Sequence, residues 1–232
     1  GPRVYGYADE KSDTNTLLVL SNYRPILKCY LKPLNGINAF ILTVDQGAFE
    51  KDVEQGWLGE FVAEKITIPY GPLINEEYLW RQEVKVKKRI IWELLENIVS
   101  EFPELSHELF IRTEYFMYEA MMRRARLFPP LTYGFLNMLK EGLRERNEKS
   151  MMDGYLKALD EAVAENWITF SNGYIKITVS LINAIKRRKV RLPIFLKSVQ
   201  RAAFFHILNV LPKMMSPLIQ DEEIFMKSHK GA

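Results

Sequence analysis

The sequence predicts an α+β chain in which a small mixed-sheet domain is followed by helices, a β-hairpin and a helical C-terminal extension. Three observations predict this order. Short β-type runs alternate with turns in the first third, helical periodicity follows the Pro/Gly-rich connector at 67–72, and Asn172-Gly173 separates two β-rich runs. The 232 residues are 47% hydrophobic and 26% charged, which excludes a disordered or collagen-like chain. We place the domain boundaries at 3–72, 73–130, 131–180 and 181–232.

The first domain contains three predicted strands, at residues 16–20, 26–31 and 37–44. Asn35-Gly36 lies between the second and third and predicts a hairpin, since both residues tolerate the positive φ of a type I′ turn. Residues 49–64 have helical spacing, although Gly56 and Gly59 weaken it. A three-stranded sheet with one following helix is therefore expected.

Two long helices are predicted in the middle of the chain. Asn75 is a candidate N-cap for a helix that runs to Glu101, just before Pro103, and Ser106 is a candidate cap for a helix that reaches Arg126. The cations among residues 85–89 alternate with Glu83, Glu93 and Glu96, which predicts a salt-bridged surface.

The region from 131 to 180 resembles a winged helix-turn-helix. Thr132 is placed to cap a helix over 133–143, and Asn147 to cap another over 148–165. The runs 167–171 and 174–178 then flank Asn172-Gly173, the strongest short-range hairpin signal. In this interpretation Lys149 lies near the leading turns of the recognition helix, while Asn172 and Lys176 belong to the wing. The alternative is a hairpin that only packs on the middle helices.

Charge is distributed unevenly along the chain. Residues 1–120 carry 13 Lys/Arg against 19 Asp/Glu, whereas residues 121–232 carry 19 against 10. No acidic residue occurs from Asn166 to Gln220. This interval holds a basic run formed by Lys186, Arg187, Arg188, Lys189 and Arg191. Such a run indicates contact with a polyanion, most simply DNA or RNA.

A polar segment before the first strand is the main candidate for chemistry. Ser12-Asp13-Thr14-Asn15 leads into Leu17-Leu18-Val19, and residues 13 and 15 share one face because side chains alternate along a strand. With Gly6 near the preceding turn, this pattern resembles the polymerase-β-like nucleotidyltransferase superfamily, specifically its small archaeal-type members. The resemblance implies Asp13 and Asn15 as catalytic positions, Asp13 as a Mg²⁺ ligand, and Gly6 and Ser12 as nucleotide-binding residues.

The chain departs from that family where carboxylates are expected. Asn15 and Asn38 stand at the second and third acidic positions, and Gly6 is followed by Tyr7 rather than by serine. Amide oxygens ligate a metal without supplying charge, so two-metal catalysis is weakened. We therefore expect a nucleic-acid-binding protein with a degenerate nucleotidyltransferase-like module, and whether metal-dependent nucleotidyl transfer survives stays open. The alternatives are a winged-helix DNA-binding transcriptional regulator and a protein-interaction scaffold without catalysis.

Other function classes receive little support. Cys29 is the single cysteine, which predicts a reducing, cytoplasmic setting, and three separate histidines offer no zinc-like spacing. Nucleophile-elbow, Walker and dinucleotide-binding motifs are not found in the sequence. No stretch is long and apolar enough to span a membrane. The apolar stretch 194–211 predicts a helix buried against the body or in a homodimer, with attachment to an anionic membrane surface as the alternative.

Overall fold

A computed structural model describes residues 1–10, 12–34, 37–127, 129 and 131–187. This part of the chain is mixed α+β, as predicted, and contains two small sheets. It divides into two compact units, the first ending at Lys65 and the second beginning at Ile66. The basic residues after 187 and the apolar stretch 194–211 lie outside the described residues.

The first unit is built on a three-stranded mixed sheet. A one-turn helix α1 (Pro2–Tyr5) precedes the strands β1 (Thr14–Leu20), β2 (Leu27–Leu34) and β3 (Ile37–Asp45). The strand order is β1-β3-β2, with β3 parallel to β1 and antiparallel to β2. Leu34 pairs with Ile37, so the predicted hairpin between β2 and β3 is confirmed.

The helix predicted over 49–64 is shorter than expected. Helix α2 (Gln46–Gln55) is capped by the Asp45 carboxylate, which accepts the Ala48 N–H, and it ends where Gly56 takes a left-handed φ of 64°. Beyond it the chain winds around the buried carboxylate of Asp52. That carboxylate accepts four backbone N–H groups, from Leu58, Glu60, Val62 and Ala63. A short 3₁₀ turn follows at Ala63–Ile66.

In the second unit the long helix is confirmed but the next element differs. Helix α3 (Glu76–Glu101) begins after Asn75, whose side chain makes no cap hydrogen bond. The predicted helix from Ser106 to Arg126 is instead a series of turns, a two-residue strand β4 (Ile111–Arg112) and helix α4 (Glu114–Leu127). Ser106 is fully buried, and its hydroxyl donates to the Pro103 carbonyl at 3.4 Å rather than starting a helix.

The following two helices also begin earlier than predicted. Helix α5 (Leu131–Met138) is shorter than expected, and helix α6 (Arg144–Ala164) begins before Asn147. Asn147 is buried, and its Nδ2 donates to the Met138 carbonyl at 2.8 Å. The side chain predicted to cap α6 therefore joins α6 to the end of α5.

The second sheet forms around the predicted hairpin. Strands β5 (Ile168–Ser171) and β6 (Tyr174–Ile177) pair antiparallel through Ser171 and Tyr174, and β4 pairs antiparallel with the other edge of β6. The resulting order is β4-β6-β5. An amphipathic helix α7 (Val179–Arg187) follows, with the Thr178 hydroxyl accepting the Leu181 N–H at its start.

The packing of α3 against α6 overturns one expectation about the lysines. Lys87 was expected on an exposed, salt-bridged surface, but its side chain is only 1% exposed. Its Nζ donates to Glu83 and to the Met151 carbonyl (2.6 Å), and it lies 4.9 Å from the centre of the Tyr155 ring. Gly154 of α6 faces this ion pair, and the absence of a side chain there allows the helices to approach closely.

Candidate functional site

The first sheet brings the predicted metal-binding positions to one face. Thr14 pairs with Ala39 in the parallel register of β1 and β3, so the residues just before them, Asp13 and Asn38, occupy neighbouring positions. Asn15 lies two residues after Asp13 and therefore on the same face. All three side chains are exposed. The face thus offers one carboxylate and two amides, with a single negative charge.

The two residues predicted to bind a nucleotide serve local turns. Gly6 adopts a φ of 88° and ends α1, its N–H donating to the Pro2 carbonyl at 3.0 Å. The Ser12 hydroxyl donates to Asp9 Oδ1 at 2.6 Å and accepts the Asp9 N–H at 2.9 Å. A phosphate at Ser12 would have to replace these bonds.

Arg3 is a polar residue near the start of β1 that the sequence analysis did not single out. Its guanidinium donates to Thr14 Oγ1 at 3.1 Å and to the Ser12 carbonyl at 3.0 Å. These bonds tie α1 to the start of β1. Thr14 alternates with Asp13 and Asn15 along the strand, so its hydroxyl lies on the opposite face. No motif pointed to Arg3, because its role depends on the return of the chain from α1 to the sheet.

The donor set fits Mg²⁺ only weakly. Among the described residues, no three His, Cys, Asp or Glu side chains form a group that could hold a metal ion. Mg²⁺ in nucleotide sites is bound by one or two carboxylates together with substrate phosphates, and Asp13 supplies one carboxylate. Two-metal catalysis requires a more highly charged set than Asp13, Asn15 and Asn38 provide.

In the second unit the hairpin turn is exposed and has the predicted geometry. Asn172 and Gly173 have φ values of 52° and 77°. Both are exposed at the tip of the hairpin. Positive φ at both central residues is the requirement of a type I′ turn, which matches the twist of the flanking strands.

The predicted basic residues do not share one environment. Lys176 lies on β6 next to Phe110, while Lys186 and Arg187 are exposed in the last turn of α7. Lys149 lies in α6 beside a cleft of about 580 Å³ that several glutamates also line. The predicted contacts Arg188, Lys189 and Arg191 fall outside the described residues.

Helix α6 presents both acidic and basic side chains on its exposed face. Tyr155 is buried against α3 and is unavailable to a ligand, while the exposed face of α6 includes Asp153 and Asp160. At its C-terminal end Glu161 and Glu165 bind Lys88, with Nζ–O distances of 3.0 and 2.6 Å. The exposed charge of α6 is mixed, because the cations Arg144, Arg146, Lys149 and Lys157 are exposed as well.

A second cleft of about 590 Å³ lies beside the start of α3. It is lined by two aromatic side chains, Tyr70 and Trp80, and by four carboxylates, from Glu76, Glu77, Glu83 and Asp153. The Tyr70 hydroxyl donates to Glu83 Oε2 at 2.8 Å. Burial, together with the negative charge of Glu83, raises the pKa of Tyr70 well above its usual range. The carboxylates of this cleft disfavour an anionic ligand, although Glu83 and Glu77 are paired with Lys87 and Arg81.

The outer face of the second sheet carries an aromatic pair that the sequence analysis missed. The rings of Phe110 and Tyr174 meet at 88° with their centres 6.2 Å apart, and Lys176 Nζ lies 4.1 Å from the centre of the Phe110 ring. Recognising β4 in the sequence would have predicted the contact between Phe110 and Tyr174, because β4 places Phe110 beside β6. Two residues of strand are too few to recognise in a sequence.

Comparisons with known proteins add no assignment: no family model, no curated protein and no solved structure matches this chain. In the part of the chain that the structure describes, no helix combines the length and apolarity needed to cross a membrane.

Proposed function

We propose that this chain is a nucleic-acid-binding protein whose second unit is a winged-helix-like domain and whose first unit is a nucleotidyltransferase-like module with little or no remaining transfer activity. The observation that carries the proposal is the topology of the second unit. A helix, a short strand, further helices and a hairpin occur in this order, and the short strand pairs with the second hairpin strand.

The charge pattern supports nucleic acid as the partner. The hairpin is followed directly by α7, whose last turn presents Lys186 and Arg187, and the acid-free part of the sequence continues to Gln220. Cations near the C-terminal end of a helix are also favoured by the helix dipole. A dipole effect alone does not account for an acid-free interval of this length, whereas phosphate contact does.

Binding is tested by fluorescence anisotropy with labelled duplex and single-stranded DNA and RNA over a series of salt concentrations. We expect the logarithm of the binding constant to fall linearly with the logarithm of the salt concentration. Lys186→Gln with Arg187→Gln should weaken binding and reduce that slope. Arg81→Gln, which removes an exposed cation from α3, serves as the matched control. Absence of binding at low salt would favour the protein-interaction scaffold, and strong preference for one duplex sequence would favour a transcriptional regulator.

The proposal for the first unit rests on the shared face of Asp13, Asn15 and Asn38. This is where the resemblance to nucleotidyltransferases locates a metal-bound nucleotide, yet two of the three charges are missing. Mg²⁺, when bound with a nucleotide, would neutralise phosphate charge there, and Asp13 is the residue that would hold it.

Restoring the missing carboxylates tests this interpretation. The double variant Asn15→Asp and Asn38→Asp should bind Mg²⁺-nucleotide more tightly in calorimetry than the natural chain, while Asp13→Ala should abolish that gain. Nucleotidyl transfer by the natural chain to DNA, RNA or protein acceptors, lost in Asp13→Ala, would show that the module is not degenerate. Unchanged affinity in the double variant would remove the nucleotidyltransferase-like interpretation of this face.

A further inference from the structure

The β4-β6-β5 sheet has one buried face and one exposed face. Side chains of Ile111, Ile168, Ile175 and Ile177 are buried, which identifies the inner face. Alternation along the strands then places Arg112, Tyr174, Lys176, Thr169 and Ser171 on the outer face. Continuing the pairing of Ile111 with Ile175 by one residue sets Phe110 opposite Lys176, which agrees with the contact between them.

The outer face combines accessible aromatic rings with cations. Phe110 and Tyr174 are 57% and 42% exposed, although large aromatic side chains are usually more completely buried. In this edge-to-face pair the edge of one ring lies against the other ring, and Lys176 Nζ lies over Phe110. The ring surface that stays exposed is where a flat group can stack. Lys176 lies against Phe110 and is available to bind a negative group beside a stacked base.

The charge of this face favours an anionic partner. Residues 168–177, which form β5, β6 and their turn, contain no acidic residue. Arg112 contacts Glu114 at 3.6 Å, with side chains that are 75% and 43% exposed, and solvent-accessible ion pairs of that kind contribute little. Arg112 is therefore able to exchange this contact for a phosphate.

We propose that the outer face of the β4-β6-β5 sheet binds single-stranded nucleic acid by stacking unpaired bases on Phe110 and Tyr174 while Lys176 and Arg112 contact phosphates. This inference rests on the proposed nucleic-acid-binding function and narrows it to one surface and one class of ligand. In a duplex the faces of the bases are covered by their neighbours, so a ring on an open sheet surface meets bases only in single strands.

The test compares affinities for single-stranded oligopyrimidine DNA and RNA with those for matched duplexes. Oligonucleotides of about 16 nucleotides are used, the upper end of the site sizes of OB-fold domains that bind single strands. Tyr174→Ala should weaken single-strand binding by roughly 5- to 150-fold, the equivalent of one stacked base. Phe110→Ala should do the same, and Tyr174→Phe should retain binding because the ring is kept. Tyr133→Ala, which removes a 76% exposed ring from α5, is the matched control and should have no effect. Lys176→Gln should reduce the salt slope by about 0.7, the value for one phosphate on a single strand.

The outcomes separate this inference from the function on which it rests. Normal binding by Tyr174→Ala and Phe110→Ala, with loss in the Lys186→Gln and Arg187→Gln double variant, would overturn the stacking surface and leave nucleic-acid binding intact. A preference for duplex that is insensitive to the aromatic variants would also overturn it. No binding to any nucleic acid would remove both. Far-UV circular dichroism and urea unfolding of each variant establish that the changes act on binding rather than on folding.

Discussion

Replacing Gly154 by alanine tests whether the buried ion pair determines the packing of α3 on α6. Inside an exposed helix this substitution stabilises by about 1 kcal/mol, because alanine has the higher helix propensity. Here the new Cβ would lie 2.5 Å from Glu83 Oε1, 2.9 Å from Lys87 Nζ and 3.0 Å from Lys87 Cδ. These distances are below normal contact, so the ion pair or the helices must move.

The expected change in the free energy of unfolding is the cost of the steric clash minus the gain in helix propensity. The side chains of Glu83 and Lys87 are 5% and 1% exposed, and their terminal atoms are tied to each other, to the Tyr70 hydroxyl and to the Met151 carbonyl. Overpacking of such a site costs about 1–3 kcal/mol, and separation of a buried pair costs about 3–5 kcal/mol. After the gain in propensity is subtracted, we expect Gly154→Ala to lower the free energy of unfolding by about 0–2 kcal/mol if the helices shift, and by about 2–4 kcal/mol if the ion pair separates.

Urea denaturation followed by far-UV circular dichroism measures this change. Ser150→Ala, an exposed position in the same helix, is the matched control and should be neutral or slightly stabilising. The clash also predicts coupling: in a Glu83→Leu and Lys87→Met background, Gly154→Ala should lose most of its cost. A Gly154→Ala protein at least as stable as the natural chain would refute the reasoning, because the intrinsic helix preference would then outweigh the contact.

Three further predictions concern the Asp52 carboxylate, the hairpin turn and the titration of Lys87. Asp52→Asn should lower the free energy of unfolding, measured by urea denaturation, by about 2–5 kcal/mol. Each Asp52 oxygen accepts two N–H groups, so an amide nitrogen in either place would face two donors. A loss below about 1 kcal/mol would show that the loop does not depend on these four hydrogen bonds. Asn172→Val should lower the free energy of unfolding by about 1–2 kcal/mol, because a β-branched residue is strained at a φ of 52°. Asn172→Gly should be nearly neutral. Equal stability of the two variants would argue against the turn geometry. Burial lowers the pKa of Lys87 in the folded chain from its usual value of 10.5. At pH values between the lowered pKa and 10.5, the unfolded chain therefore binds more protons than the folded chain, and the free energy of unfolding rises with pH. Lys87→Met should remove this pH dependence of stability. It should also lower the free energy of unfolding by about 3–5 kcal/mol, because Glu83 is left unpaired. An unchanged pH profile would show that Lys87 is not the titrating group.

Local signals in the sequence identified much of the fold. The two Asn-Gly pairs and the β-type runs around them predicted both hairpins, because a type I′ turn depends on the turn residues themselves. The long helix α3 was also predicted, since 26 residues of apolar periodicity leave little ambiguity. These elements are determined by neighbouring residues in the chain.

The errors arose where a distant contact decides the conformation. Strand β4 has two residues and exists through its pairing with β6, more than 60 positions away. Asn147 has the residue type of a cap, but the end of α5 provides its partner, so α6 begins a turn earlier. Lys87 alternates with acidic residues like a surface lysine, and only the approach of Gly154 shows that it is buried.

The candidate site was predicted unevenly for the same reason. Asp13 and Asn15 were assigned to one face from strand alternation alone, and the register of β1 and β3 adds Asn38 to it. Arg3 was missed because the chain returns from α1 to the start of β1, where Arg3 donates to the Ser12 carbonyl. Phe110 was missed because the two-residue strand β4 places it beside β6. Residue type therefore located the turns and strand faces but not the contacts made across them.

The contact between Trp92 and Trp167 gives the second unit an internal optical probe. The two indole rings are 4.6 Å apart at 65°, one on α3 and the other just before β5. Chromophores at this separation couple electronically, and the sign and size of the coupled circular dichroism signal depend on their mutual orientation. A ligand that shifts the hairpin relative to α3 would change this signal, so movement of the hairpin can be followed without attaching a dye.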